Sequence, residues 1–151
     1  KDGHGGVVMG SEISAGVRNV FVRNCTMKSP NLDRAIRIKT NTLRGGFVEN
    51  VYVKDIEVGQ GKEAVLKINT YYGIYGKQEG EFIPTIQNIN LENVTVENGG
   101  KYGLLIQGRE EKPVTGISFK NVTIKNADTP LKGEHCEPIS YTNTTINQKS
   151  Y

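Results

Sequence analysis

Two groups of residues in this sequence have the types and spacing to do chemistry. The first is Arg37 and Lys39, inside the stretch Arg34-Ala-Ile-Arg-Ile-Lys-Thr40. In a β-strand alternate side chains point to opposite faces, so Ile36 and Ile38 face inward while Arg37 and Lys39 share the outer surface. Two cations fixed on a flat wall suit a carboxylate or a sulfate. The second group is Gly3-His4-Gly5-Gly6, a histidine set between glycines. Each signal has an ordinary counterpart. A glycine-flanked histidine is often a hydrogen-bonded turn residue, and outward strand positions are usually charged. Lys54, Lys120 and Lys125 read as such a solvated face.

The elements that position these residues must come from 151 residues, enough for a single domain, 1–151, with its own core. Hydrophobic residues make up 36%, there are 18 glycines, and asparagine is common, a mix suited to short strands and tight turns. The net charge of +3 is too small to imply a nucleic-acid partner but is compatible with a polyanionic substrate. No apolar run is long enough for a membrane-spanning helix. The two cysteines, Cys25 and Cys136, do not make a disulfide framework. The chain opens on Lys1, inside a motif, so an export signal is expected to lie upstream of it, and a secreted or periplasmic protein is expected.

The scaffold is a repeat. Val17-Arg-Asn-Val-Phe-Val-Arg-Asn-Cys-Thr-Met27 aligns with segments starting at Val48, Ile86 and Val114, and a shorter copy runs Ile139–Ile146. Columns follow: Val20, Val51, Ile89, Ile117 and Ile139, then Val22, Val53, Leu91, Phe119 and Tyr141. A polar column of Asn24, Asp55, Asn93, Asn121 and Asn143 comes next, then Cys25, Ile56, Val94, Val122 and Thr144. This is strand, bend, strand, with asparagine at the bend because it tolerates left-handed backbone. The copies are 31, 38, 28 and 22 residues apart, as in a coil with fixed strands and variable loops.

A second strand recurs between the copies: Ala35–Lys39, Ala64–Ile68 and Gly103–Gln107, with Gly6–Gly10 as an earlier member. Each coil would bury its apolar residues only by stacking on the next, which predicts an all-β solenoid, a parallel β-helix. No segment holds a 3.6-residue apolar period, and an antiparallel sandwich would not explain columns of matching chemistry. Stacking places Lys67 beside Arg37 and Asn69 beside Lys39, about 4.8 Å away at sheet spacing. Lys67 is then either a further site cation or a solvated ladder partner. The longest coil carries Tyr71, Tyr72, Tyr75 and Phe82 beside this face. Tyr72 is a candidate sugar-stacking contact, and Phe82 is expected to pack.

The motif Gly3-His-Gly-Gly-Val-Val-Met-Gly-Ser-Glu12, the triplet Arg37-Ile-Lys39 and coils of the Asn-Val-x-Val-x-Asn type together resemble glycoside hydrolase family 28, the polygalacturonases, over most of the chain. The resemblance implies a right-handed parallel β-helix that hydrolyses α-1,4 bonds between galacturonates with inversion. It implies that His4 is the active-site histidine, that Arg37 and Lys39 bind the substrate carboxylate, and that the partner is a galacturonate-containing polysaccharide. The glycine-rich form of the motif is more similar to bacterial members, including exo-acting ones. No metal or other cofactor is implied.

The sequence departs from the family in one respect. The Asn-Thr-Asp and Asp-Asp motifs that carry the family's catalytic aspartates do not occur in it. Inverting hydrolysis needs a carboxylic acid at the leaving oxygen and a carboxylate to activate water. The expectation is therefore an N-terminally truncated helix, the C-terminal coils of such an enzyme. It would lack its acid and base, and would pair with a missing N-terminal half or with itself.

The remaining features have structural readings. Cys25 falls in an inward column as a small core residue. His135-Cys136 is too sparse for a metal site. Asn24, Asn93, Asn121 and Asn143 fit the glycosylation pattern but occupy one repeat corner. Two other functions compete: a non-catalytic β-helix module that holds acidic polysaccharide, and a pectate lyase. The lyase ranks last because Asp2, Asp33, Asp55 and Asp128 are scattered.

Overall fold

A computed structural model describes residues 3–73 and 79–151, and every regular element among them is a strand. In chain order the strands are β1 (Val7–Met9), β2 (Val17–Met27), β3 (Arg34–Lys39), β4 (Phe47–Gln60), β5 (Ala64–Asn69), β6 (Thr85–Asn98), β7 (Gly100–Gln107), β8 (Thr115–Ile124), β9 (Ala127–Glu134), β10 (Ser140–Ile146) and β11 (Lys149–Ser150). They alternate between two sheets. One has the order β1-β3-β5-β7-β9 and the other β11-β10-β8-β6-β4-β2. All pairings are parallel except the terminal β10–β11 hairpin. A chain that visits two sheets alternately and returns in parallel register is a parallel β-helix, and the antiparallel sandwich is excluded.

The register is that of the repeat columns. Val20 pairs with Val51, Val51 with Ile89 and Ile89 with Ile117. Val22, Val53, Leu91, Phe119 and Tyr141 form the next column, and Cys25, Ile56, Val94, Val122 and Thr144 a third. In the other sheet Ile36, Leu66, Leu104 and Leu131 align, as do Ile38, Ile68, Ile106 and Gly133. Ile36, Ile38, Leu66, Ile68, Leu104 and Ile106 are buried against Val51, Val53, Ile89 and Leu91, so each coil's apolar residues form part of one continuous core. Full burial of one such side chain contributes about 1.5–3 kcal/mol.

The long strands turn corners. β4 and β6 have 14 residues each, beyond the usual strand length, because each contains two residues in the left-handed region. Asn24, Asp55, Asn93, Asn121 and Asn143 occupy the bend column foreseen from the sequence, with φ between 46° and 56°. A second bend column, Asn19, Asn50, Asn88 and Gly116, was present in the aligned segments but passed unrecognised as a corner. The amide side chains then bond from coil to coil. Asn93 Nδ2 donates to Asp55 Oδ1 (2.8 Å), Asn121 to Asn93 (3.0 Å) and Asn143 to Asn121 (2.8 Å). In the other column Asn50 donates to Asn19 (3.1 Å) and Asn88 to Asn50 (2.6 Å). The Nδ2 atoms of Asn93, Asn121 and Asn143 are therefore occupied, which accounts for these residues without attached sugar.

The ladder makes an ordering testable. Asn93→Ala removes two side-chain bonds and places a Cβ residue without a polar side chain at φ 53°. Left-handed backbone costs such a residue about 1–2 kcal/mol, and each exposed bond about 0.5 kcal/mol more. Urea denaturation should show Asn93→Ala about 2 kcal/mol less stable than the native chain, with Asn93→Gly less affected because glycine adopts this φ freely. A glycine variant as unstable as the alanine one would remove the conformational part of the argument.

Candidate active site

The site is built on the outer face of the β1–β3–β5–β7 sheet. Arg37 lies between Val8 on one side and Lys67 on the other, and Lys39 pairs with Asn69, which pairs with Gln107. The outward row of Arg37, Lys39, Lys67, Asn69 and Gln107 expected from stacking is thus present. The segment before β1 crosses close to it. A Cβ on Gly5 would lie 3.8 Å from Arg37 Cβ and 2.4 Å from a Val8 methyl. A Cβ on Gly6 would meet Met27 Sδ at 2.4 Å and the Ala35 carbonyl at 2.8 Å. The glycines after His4 are there because the backbone must pass this close to β3.

Tyr72 covers the cations. Arg37 Cζ stands 5.3 Å from the ring centroid and Lys39 Nζ 4.5 Å, and Lys39 Nζ also donates to the Tyr72 hydroxyl at 3.5 Å. Each such cation–ring contact contributes about 0.5–1 kcal/mol in partial solvent. The Tyr72 backbone is tied down: its N–H donates to Thr40 O (3.0 Å) and its carbonyl accepts from Asn41 Nδ2 (2.9 Å). Next to it, the buried Arg109 donates twice to Thr70 O and stacks on Tyr71 at 4.0 Å. The sequence reading did not single out Arg109, which is one coil away and outside any motif. Tyr75 lies outside the described residues. Phe82 does not pack as expected. It is 66% exposed, because its backbone bonds to Thr42 O and runs over Gly45, leaving the ring in solvent.

The electrostatics divide the cations into paired and free. Lys67 is not a solvated ladder partner; it is buried, with its Nζ 2.6 Å from Glu63 Oε1. Glu63 is also ion-paired with Arg34, which lies 3.5 Å from Asp33 Oδ2. Asp33 in turn accepts from His4 Nδ1 at 2.9 Å. A continuous chain of polar and ionic contacts therefore runs His4–Asp33–Arg34–Glu63–Lys67. Arg37 stays outside it. Among the described residues its Nε, like that of Arg34, is buried and has no hydrogen-bond partner, and no carboxylate pairs with its guanidinium. Burial, with Arg34 adding repulsion, lowers the Arg37 pKa from its ordinary value. An arginine nevertheless keeps its charge in proteins, so the site holds a cation with unused donors. Lys39 borders an open groove of about 680 Å³ lined by Gly10–Val17.

Arg37, Lys39 and Tyr72 thus form one patch, His4 is joined to the start of the same strand through Asp33 and Arg34, and the sequence missed the members that neutralise the other charges. Asp33 directly precedes, and Arg34 opens, the strand that carries Arg37, and Glu63 stands four residues before Lys67, so the signal was local. Glu12, the other acid near the motif, pairs with Arg44 at 2.6 Å. Among the described residues no cluster of three His, Cys, Asp or Glu side chains is arranged to hold a metal ion.

Two measurements follow. Glu63→Ala would leave Arg34 and Lys67, both largely buried, without their shared partner. The expected loss is about 2–4 kcal/mol in urea denaturation, somewhat below that of a fully buried pair; a change within 0.5 kcal/mol, the ordinary surface range, would show the chain of charges to be incidental. The hydrogen bond from His4, with Arg34 adding to it and burial opposing, holds the Asp33 carboxyl below its ordinary value of 3.8. A carboxyl lowered in the folded state stabilises above its unfolded pKa and loses that contribution as pH falls through the folded one. Asp33→Asn should therefore be less stable than the native chain above the ordinary carboxylate value and converge with it as pH falls through the lowered value of the folded state. A constant difference across that range would contradict the pairing.

The sequence model of the Glycosyl hydrolases family 28 matches residues 1–146. A probable polygalacturonase of Vitis vinifera is 32% identical over 120 residues, covering 78% of this chain and 24% of its own length. A polygalacturonase of Cochliobolus carbonum is 29% identical over 66% of this chain and 25% of its own. One of Ralstonia solanacearum is 31% identical over 88% of this chain and 26% of its own. The chain spans about a quarter of the length of these curated relatives. The lyase alternative gives way to this match, and the chain, a parallel β-helix with Arg37 and Lys39 on the outer face of one sheet, belongs to glycosyl hydrolases family 28.

Proposed function

We propose that this chain contributes the histidine and the carboxylate-binding cations to the site of a pectin-degrading hydrolase that cleaves α-1,4 bonds between galacturonates with inversion. The observation that carries the reading is Arg37 and Lys39 side by side under Tyr72, with no carboxylate paired to either among the described residues, while the neighbouring cations Arg34 and Lys67 are neutralised. A sugar carboxylate entering there meets a guanidinium fork and a compact ammonium from one side, and the tyrosine ring offers apolar area to the sugar face.

The mechanism needs two carboxyl groups set apart to protonate the leaving oxygen and activate water. Asp33 and Glu63, the carboxylates nearest the cations, are both committed to ion pairs, so neither is assigned that work. The acid and base are assigned to residues other than these, in a longer protein whose remaining coils would stack on this one. Outside the cell is where such a polymer is met, and an exported protein fits the reading. The same commitment of the carboxylates favours a second reading, in which these coils alone bind acidic polysaccharide without cleaving it.

The test separates charge recognition from shape. Calorimetric titration with oligogalacturonate and its methyl ester should show Arg37→Ala or Lys39→Ala losing about 2–5 kcal/mol for the acid and little for the ester. Arg37→Lys should lose most of the same amount, because a lysine cannot reproduce the fork. Equal losses on acid and ester would show that the cations do not read the carboxylate. Reducing-sugar release from polygalacturonate by the pure chain at a rate near that of a complete enzyme would contradict the assignment of the acid and base elsewhere, since each proton transfer contributes about 10²–10⁴-fold.

A further inference from the structure

We propose that Asp33 is a positioning residue for His4: its carboxylate holds the imidazole as the Nδ1–H form and leaves Nε2 as the free, proton-accepting nitrogen. This rests on the reading of His4 as a site residue given above. The nitrogen that carries the proton in a neutral imidazole is set by the hydrogen bond the other side of the ring makes. Here Nδ1 lies 2.9 Å from Asp33 Oδ2, and a carboxylate can only accept. The bond therefore fixes the donor as Nδ1.

The pair is more than a clasp for the loop. The backbone already holds that loop to β3: Gly6 N–H donates to Arg34 O at 2.9 Å, Asp33 N–H to Gly3 O at 3.5 Å, and Arg34 Nη1 to His4 O at 3.5 Å. With the main chain held, the side-chain bond is left to decide ring orientation and tautomer. His4 itself is 88% exposed, so no packing does this in its place. Asp33 is in turn fixed from the far side. Its carbonyl accepts from the N–H groups of Glu63 (2.8 Å) and Ala64 (3.2 Å), and Arg34, anchored by Glu63, stands at its carboxylate. The arrangement is that of a base oriented by a third group which is itself held by the scaffold. It also explains why a carboxylate so close to the site is not free to act as acid.

The chain has two histidines, His4 and His135, so ring ¹⁵N spectra resolve the question on the whole chain, recorded where both imidazoles are neutral. The native His4 should carry its proton on Nδ1. Asp33→Ala should lower the ratio of Nδ1–H to Nε2–H by about tenfold or more, the worth of a hydrogen bond to a charged group. Asp33→Asn, which keeps an acceptor oxygen and loses the charge, should fall between them. His135 should not change and reports on folding in each variant. Native His4 carrying its proton on Nε2 would overturn the proposal with no variant needed, and so would a ratio unchanged in Asp33→Ala. Titration with trigalacturonate tests the parent reading separately. A His4 of the Nδ1–H form whose resonances ignore the sugar supports the role of Asp33 and counts against the polygalacturonate site.

Discussion

The left-handed corner is the constraint on which the rest of this structure depends. A strand that must enclose a core has to change direction without losing the hydrogen bonds to its neighbours above and below. One residue at φ near 55° achieves this, and asparagine accepts that backbone at low cost while its amide bonds to the equivalent amide of the next coil. Because the corner recurs in register, the strands between corners are in register too. The inward columns then stack apolar on apolar through the whole molecule, and the outward columns stack charge on charge.

That second consequence creates the site's central difficulty. Stacking Arg37 on Lys67, with Lys39 two residues along the same face and Arg34 at the start of the strand, gathers four cations in one small region. The fold answers it locally. Glu63 neutralises Lys67 and Arg34, Asp33 takes Arg34 and His4, and the tyrosine ring lies against the two cations that remain. What is left is a short stretch of positive charge with unused donors, bordered by a paired histidine. The proposed substrate, a polyanion with a carboxylate on every sugar, complements such a surface in charge.

The fold was legible in the sequence because a solenoid writes its register into its repeat. Val20, Val51, Ile89 and Ile117 aligned by eye and pair in the structure. The cations were legible because strand alternation fixes which face Arg37 and Lys39 share. What escaped was of a different kind. The Asn19–Asn50–Asn88 corner was hidden by Gly116, which serves the same φ without a side chain and broke the column's chemistry. The burial of Lys67 depended on Glu63, and the hold on Tyr71 depended on Arg109 from another coil, so neither showed in the spacing of a single strand. Phe82 was expected to pack its loop onto the barrel, whereas its backbone partner at Thr42 leaves the ring exposed.

The account's central claim is that the face of β3, not the rest of the molecule, receives an acidic sugar. The most direct measurement is a crystal structure of the chain soaked with a galacturonate oligomer. The account predicts one sugar carboxylate about 3 Å from both the Arg37 guanidinium and the Lys39 ammonium, with the ring beside Tyr72. The opposite sheet carries an exposed stacked pair, Phe21 on Tyr52, that offers a sugar a second aromatic surface. An oligomer bound there, with the Arg37–Lys39 face empty, would contradict the account.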